Sequence, residues 1–231
     1  MVIMSSPENM QIFTQSFSQQ IYDRLRSAIL RGDYKCGDVI NAKTVAAEMG
    51  VSMMPVREAL KRLEQTGLVE IRPRSMCLVR TPSKKTIISA MKMRELLEVF
   101  CVKQIYETID ADKLNTMRKL NLEMEEALKL GEEGIKKFIY CDWQFHCELC
   151  NLADNEFVSS FYPELYIKVN MGIMYELSSP DINYMTFVED HRQLIEALEN
   201  HSPSSVEIIE RHMKNSQKNI MTGHFFLNAD N

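Results

Sequence analysis

The sequence predicts a mainly α protein in two parts. Residues 1–80 read as a winged helix-turn-helix with a small β-hairpin wing, and residues 81–231 as an all-α antiparallel helical bundle. Three observations predict it. Apolar residues recur at three- and four-residue intervals through most of the chain. Period-2 alternation is confined to about residues 68–79. Thr81-Pro82-Ser83-Lys84 interrupts both patterns. A length of 231 residues exceeds the usual size of one domain, so two cores are expected.

The first dozen residues, with Ser5, Ser6, Pro7 and Asn9, show no period and read as a loose arm. Helical spacing begins near Phe17 and runs through Ile21, Leu25, Ile29 and Leu30 to Gly32, and a turn follows through Gly37. Residues 43–65 divide into two short helices at Gly50, where Val51-Ser52 supplies a turn and Ser52 suits an N-cap. Gly67 ends the second helix. The runs 68–72 and 77–79 alternate around Pro73-Arg74-Ser75 as a hairpin. Beyond the break, helical runs are expected at about 85–109, 111–130, 133–151, 155–178, 184–199 and 204–222. Gly131, Gly134, Ser178-Ser179-Pro180 and His201-Ser202-Pro203 punctuate them, and Pro163 should kink the fourth.

Charges interrupt every long apolar stretch, and no basic flank, apolar run and small-residue cleavage site opens the chain. A soluble, cytoplasmic protein without a membrane partner is the expectation. The six cysteines therefore read as reduced thiols. Cys147 and Cys150 form a C-x-x-C, but inside a helical pattern with no second pair to complete a zinc knuckle. Net charge is −5 and unevenly spread. Through Arg80 there are 11 basic and 8 acidic residues, net +3, and the remainder holds 16 and 24, net −8. The basic part is the candidate for phosphate contact.

In a helix-turn-helix the first helix braces the second, which needs apolar residues on the shared face and a glycine at the turn. Val45, Met49, Val51, Val56 and Leu60 supply the face, with Ala46 small and Gly50 at the turn. The second helix then presents Ser52, Met53, Met54, Arg57 and Lys61 toward base edges and phosphates. Lys43 is a further candidate, although solvated surface serves equally well for Lys43 and Lys61. From Gly50-Val51-Ser52-Met53-Met54-Pro55-Val56-Arg57-Glu58-Ala59-Leu60 through Leu63 to Gly67-Leu68-Val69, the chain resembles the GntR-type regulators. The resemblance implies a transcriptional regulator with Arg57 on DNA; because one short recognition helix discriminates little and paired half-sites multiply it, a homodimer on a double-stranded, pseudo-palindromic operator is expected. Two departures stand out: Met53 and Met54 replace the family's usual Arg and Thr, and the wing carries Arg72-Pro73-Arg74-Ser75-Met76 without a tip glycine. Arg72 and Arg74 remain placed for the DNA backbone.

Asp142 and His146 lie four apart on a helix, so a carboxylate and an imidazole project from one face. The alternative for such a pair is a helix-face hydrogen bond. His191 lies 11 residues before Ser202 and His212 lies 10 after it, so an antiparallel hairpin brings both imidazoles to nearly one height. Three helices can then converge on one divalent ion, with zinc first and nickel or manganese also suited. Asp142-x-x-x-His146, Glu189-Asp190-His191-Arg192 and the later His212 also resemble the all-helical FCD domain of the FadR branch of that family. Arg94-Glu95-Leu96-Leu97-Glu98 resembles that domain's R-x-x-L-E, which implies that Arg94 faces an effector. Its alternative is an i,i+4 surface pair with Glu98. An arginine beside a metal suits a carboxylate or sugar acid. The resulting expectation is a non-enzymatic regulator whose operator affinity follows a small acid bound at a metal site. The alternatives are a sensor of the ion itself and a metalloenzyme.

Overall fold

The computed structural model describes residues 15–72, 76–175 and 182–222. Helix α1 (Phe17–Leu30) starts where Ser16 Oγ accepts the Gln19 N–H, and it buries Ile21, Leu25 and Ile29 on one stripe. A two-residue strand β1 (Val39–Ile40) follows, then α2 (Ala42–Met49), whose N-cap Asn41 accepts the N–H groups of Lys43 and Thr44. Gly50 ends α2 in the left-handed region at φ 63°, which a side chain disfavours. Helix α3 (Met53–Gln65) begins after Ser52, which occupies the N-cap position but makes no capping hydrogen bond, contrary to the expectation for its hydroxyl.

Strands β2 (Val69–Arg72) and β3 (Met76–Val79) form the antiparallel hairpin, with Val69 opposite Val79. β1 pairs with the other edge of β3, giving the order β1-β3-β2. Two residues carry no alternation, so this third strand was not readable from the pattern. The arm at 1–14, the hairpin turn with Arg74, the break at 176–181 and the tail with His224 lie outside the described residues.

Behind Ser83, whose Oγ accepts the Thr86 N–H, come α4 (Lys84–Ile105), a single 3₁₀ turn at Ala111–Leu114, α5 (Asn115–Leu128), α6 (Glu132–Asn151), α7 (Glu156–Tyr175), α8 (Tyr184–Glu199) and α9 (Ser204–Thr222). α4 stops at Ile105, short of the expected 109, and 111–114 is 3₁₀ where an α-helix was expected. Pro163 lies inside α7, which continues on both sides of it. Met117, Met124, Phe145, Leu149, Val188, Leu194 and Met213 fill the bundle's core. Among the described residues, no helix is long and apolar enough to cross a membrane.

The N-terminal unit is not closed by its own residues. Its core of Ile21, Leu25, Val56, Leu63, Leu68 and Val79 also takes in Ile167 and Met171 from α7, with Trp143 of α6 packed against it. Two large cores are thus present, and residues beyond the Thr81–Lys84 break complete the first one.

Candidate metal centre and nucleic-acid interface

Helix periodicity sets Asp142 and His146 one turn apart on α6, while α8 and α9 bring His191 and His212 to them from the facing side. His201, at φ 50°, helps turn the chain between α8 and α9. The rings of His191 and His212 sit 4.6 Å apart. The three imidazoles are buried and can each offer a nitrogen within 4.8 Å of the others. His146 Nε2 lies 3.3 Å from His212 Nε2, and Asp142 Oδ1 lies 3.7 Å from Nε2 of both His146 and His191. Three imidazoles from three helices therefore cluster, with the Asp142 carboxylate beside two of them.

Three of the four, His146, His212 and Asp142, have a polar group behind them. His146 Nδ1 is 2.6 Å from Glu98 Oε2, which assigns the proton to Nδ1 and turns the Nε2 lone pair inward. His212 Nδ1 faces Asp190 Oδ2 at 3.5 Å, and Arg211 holds Asp190 Oδ1 at 3.0 Å. The Tyr166 hydroxyl donates to Asp142 Oδ2. Burial, and then the two neighbouring imidazoles, push His191 well below its ordinary pKa. Burial also lowers His212. Both are thereby kept neutral, the form that ligates a cation. Burial works to raise Glu98, but the adjacent His146 ring, the Arg94 guanidinium and the hydrogen bond from Tyr162 together hold it at about 2.

His191 provides the test of fit. Neither of its ring nitrogens has a hydrogen-bond partner, and burying an unpaired polar group costs on the order of 1–3 kcal/mol. Phe145 stacks on the ring at 4.0 Å and holds it in place. A divalent cation among the four donors would pair Nε2, and three neutral imidazoles with one carboxylate suit zinc, nickel or manganese. A cavity of about 40 Å³ reaches Asp142 and His212 past Phe138, Tyr184, Phe187 and Ser216.

Arg94 does not line that cavity. It does pair with Glu98, at 3.1 Å, but both side chains are buried, so the surface alternative is overturned. Its Nε also donates to the Tyr162 hydroxyl at 3.2 Å, and its guanidinium lies 3.9 Å over the Tyr166 ring. It therefore stands behind Glu98 and His146. Glu98, Tyr162, Tyr166 and Asp190 belong to the site and were missed in sequence. Glu98 had a signal in its i,i+4 spacing from Arg94 and Asp190 in the motif Glu189-Asp190-His191-Arg192, whereas the two tyrosines had none. All six cysteines are free, and burial pushes the Cys147 thiol up to about 12, away from redox chemistry.

On the basic unit, Ser52, Met54, Arg57 and Lys61 are exposed along α3, and Lys43 is exposed at the start of α2. Met53 is half-buried and packs against the N-terminal core, which gives it a structural role in addition to any contact with DNA. Arg72 is exposed and paired with Glu70 at 3.0 Å. The helix-turn-helix core follows the expected face, with Val45, Ala46, Val56 and Leu60 buried and Met49 and Val51 half-buried against them.

Residues 17–79 match the family model for bacterial regulatory proteins of the gntR family, and residues 89–215 match that for the FCD domain. Two curated relatives are similar along most of their length. The HTH-type transcriptional regulator YdhC of Bacillus subtilis (strain 168) is 26% identical over 177 residues, which is 77% of this chain and 78% of that protein. A probable D-xylose utilization operon transcriptional repressor of Paenarthrobacter nicotinovorans is 28% identical over 192 residues, 82% of each. Among solved structures, Escherichia coli McbR/YncC superposes with a TM-score of 0.79 at 19% identity, covering 90% of this chain and 98% of that one.

Proposed function

The chain belongs to the GntR family and is a transcriptional regulator with an FCD domain. From that premise we propose that its affinity for a pseudo-palindromic operator in the cytoplasm is set by a divalent cation and a small carboxylate or sugar acid bound in the FCD bundle. The observation that carries this reading is the convergence of Asp142, His146, His191 and His212, with His146 and His212 each backed by a second carboxylate. When bound, the cation would supply Lewis-acid positions for ligand oxygens. Glu98 and Asp190 orient the rings, and Tyr166 fixes Asp142. The relative named for a D-xylose operon supports a sugar-derived ligand. The named relatives are regulators, not enzymes, so the metalloenzyme alternative falls away.

The test is elemental analysis of the purified chain, followed by calorimetric titration of the zinc-loaded form with a panel of sugar acids and short carboxylates. Binding by at least one acid that requires zinc is expected. A second reading has one observation in its favour, the small volume of the cavity. If zinc changes operator affinity and no acid binds, the ion is itself the signal.

For DNA, Arg57 on the exposed face of α3 is the leading contact, with Ser52, Met54 and Lys61 beside it and Lys43 and Arg72 as candidates for phosphates; Arg74, a further candidate from the sequence, lies outside the described residues. Arg57→Ala should weaken operator binding by about 1–3 kcal/mol, roughly 5- to 150-fold, without shifting the melting temperature. Unchanged affinity in a gel shift would remove Arg57 from the interface.

A homodimer is supported by an apolar face shared by α4 and α7. These helices run antiparallel, since Arg94 meets Tyr162 and Tyr166 while Cys101 clusters with Val158. Leu96 and Phe100 on one helix and Phe157 and Phe161 on the other are exposed along the pair, Leu96 by 64% and Phe157 by 76%. Side chains of this size gain most from a second copy. Phe161→Glu should weaken the dimer on the order of 30-fold or more, the scale of an interface hot spot. Light scattering on dilute protein should then approach the single-chain mass of 26.8 kDa. A variant that stays dimeric would place the interface elsewhere.

A further inference from the structure

Helix α7 presents different residues to the two units. At 3.6 residues per turn, Glu164, Ile167, Lys168 and Met171 fall on one stripe and Val158, Tyr162, Tyr166 and Val169 on the opposite one. The second stripe belongs to the bundle, where the Tyr162 hydroxyl donates to Glu98 and the Tyr166 hydroxyl to Asp142. The first stripe enters the DNA-binding unit. Ile167 and Met171 complete its core, Glu164 pairs with Arg26 of α1 at 3.1 Å, and the Met171 carbonyl accepts the Cys36 thiol at 3.7 Å.

Lys168 makes the contact with most consequence, because its Nζ donates to the backbone carbonyl of Thr66, the C-cap of α3. The last carbonyls of a helix lack donors within it and carry the negative end of its dipole, so an ammonium is the matching group. α3 does not supply one there itself. The one basic residue of its last turn, Arg62, is turned away to Gln19 at 2.7 Å and over the Tyr22 ring at 4.4 Å. Gly67 completes the fit. It takes φ +73°, and a Cβ at that position would stand 3.0 Å from Lys168 Nζ. The glycine thus provides both the turn and the space that the ammonium enters.

We propose that Lys168 is a positioning residue for DNA recognition. It is an ammonium borne by the FCD bundle that holds the C-terminal end of the recognition helix, two residues along α7 from the tyrosine bonded to Asp142. A shift of α7 at Asp142 is then felt at α3 without any intervening loop. The coupling to ligand rests on the reading of the metal centre given above, whereas the positioning of α3 does not.

The test uses the full chain and a duplex that it selects from a random-sequence pool, with affinity read by fluorescence anisotropy in zinc and in EDTA. Lys168→Met keeps the stem and removes the charge. It should weaken binding about tenfold, the scale of a lost charged hydrogen bond. It should also speed hydrogen exchange at the amides of residues 63–67 while leaving those of α5 unchanged, and Lys168→Arg should restore both. Should Lys168→Met not fold, Lys168→Gln is read in the same way. Binding within twofold of the unmodified chain, or weaker binding with unaltered exchange at 63–67, overturns the proposal. If the unmodified chain binds equally in zinc and EDTA, the coupling to ligand is overturned, and the Met and Arg variants still decide whether Lys168 positions α3.

Discussion

His191→Ala is expected to lower zinc affinity by more than the roughly 10- to 100-fold that loss of an outer-shell hydrogen bond costs. Both ring nitrogens of His191 are unpartnered in the interior, and Nε2 lies 3.7 Å from Asp142 Oδ1 beside the His146 and His212 rings, so a cation bound there would give it a polar partner. Without a cation the imidazole is a cost to the fold, offset by its stacking on Phe145. The metal-stripped variant should therefore lose little stability relative to the metal-stripped parent. The contrast appears on adding zinc. A ligand that binds only the folded chain stabilises it by about 2.7 kcal/mol at 100 times its Kd, so the parent's melting temperature should rise well above the variant's. Glu98→Gln should fall between them in zinc affinity, within the outer-shell range, because it weakens the rear support of His146, while the Arg94 charge it leaves unpaired lowers the stability of the metal-free and zinc-loaded forms alike. Equal zinc-induced shifts in the parent and in His191→Ala would defeat the assignment of His191 as a ligand.

How much of this was legible in the sequence follows from how each feature is encoded. α1, α2, α3 and the hairpin repeat a period over at least one full turn or strand, and their glycine ends at 50 and 67 need positive φ, so they could be read directly. β1 is too short to repeat anything. The four candidate donors could be picked out because two share a helix face and two are mirrored about one turn; the structure clusters the three histidines and sets Asp142 beside two of them. Their supports obey no such rule. Glu98 meets His146 across 48 residues and Tyr166 meets Asp142 across 24, separations fixed by which helices pack and not by helix geometry. Ile167 and Met171 were hidden for a related reason. An apolar stripe reports that a face is buried, but not whose core buries it.

Arg94→Ala is expected to destabilise the chain by about 3–5 kcal/mol, because removing one member of a buried ion pair leaves the other charge uncompensated. At roughly 2–4 °C per kcal/mol for a chain of this size, the melting temperature should drop by about 6–20 °C. Geometry decides the magnitude. Arg94 and Glu98 are 1% and 0% exposed, whereas Arg31 and Asp33, at 2.8 Å, are each about half exposed and belong to the class of pairs worth under about 1 kcal/mol. The double substitution Arg94→Met with Glu98→Leu separates fold from site. Apolar groups of similar volume often replace a buried pair without loss, so much of the stability should return. Zinc affinity should not return with it, because His146 Nδ1 would have lost the carboxylate that orients it. The effector role implied by the R-x-x-L-E resemblance predicts something different. Under it, Arg94→Ala would leave the melting temperature within about 2 °C, the shift expected for less than 1 kcal/mol, and remove only the binding of acids. A calorimetric melt of the single variant therefore decides whether this arginine serves the ligand or holds Glu98 against the metal centre.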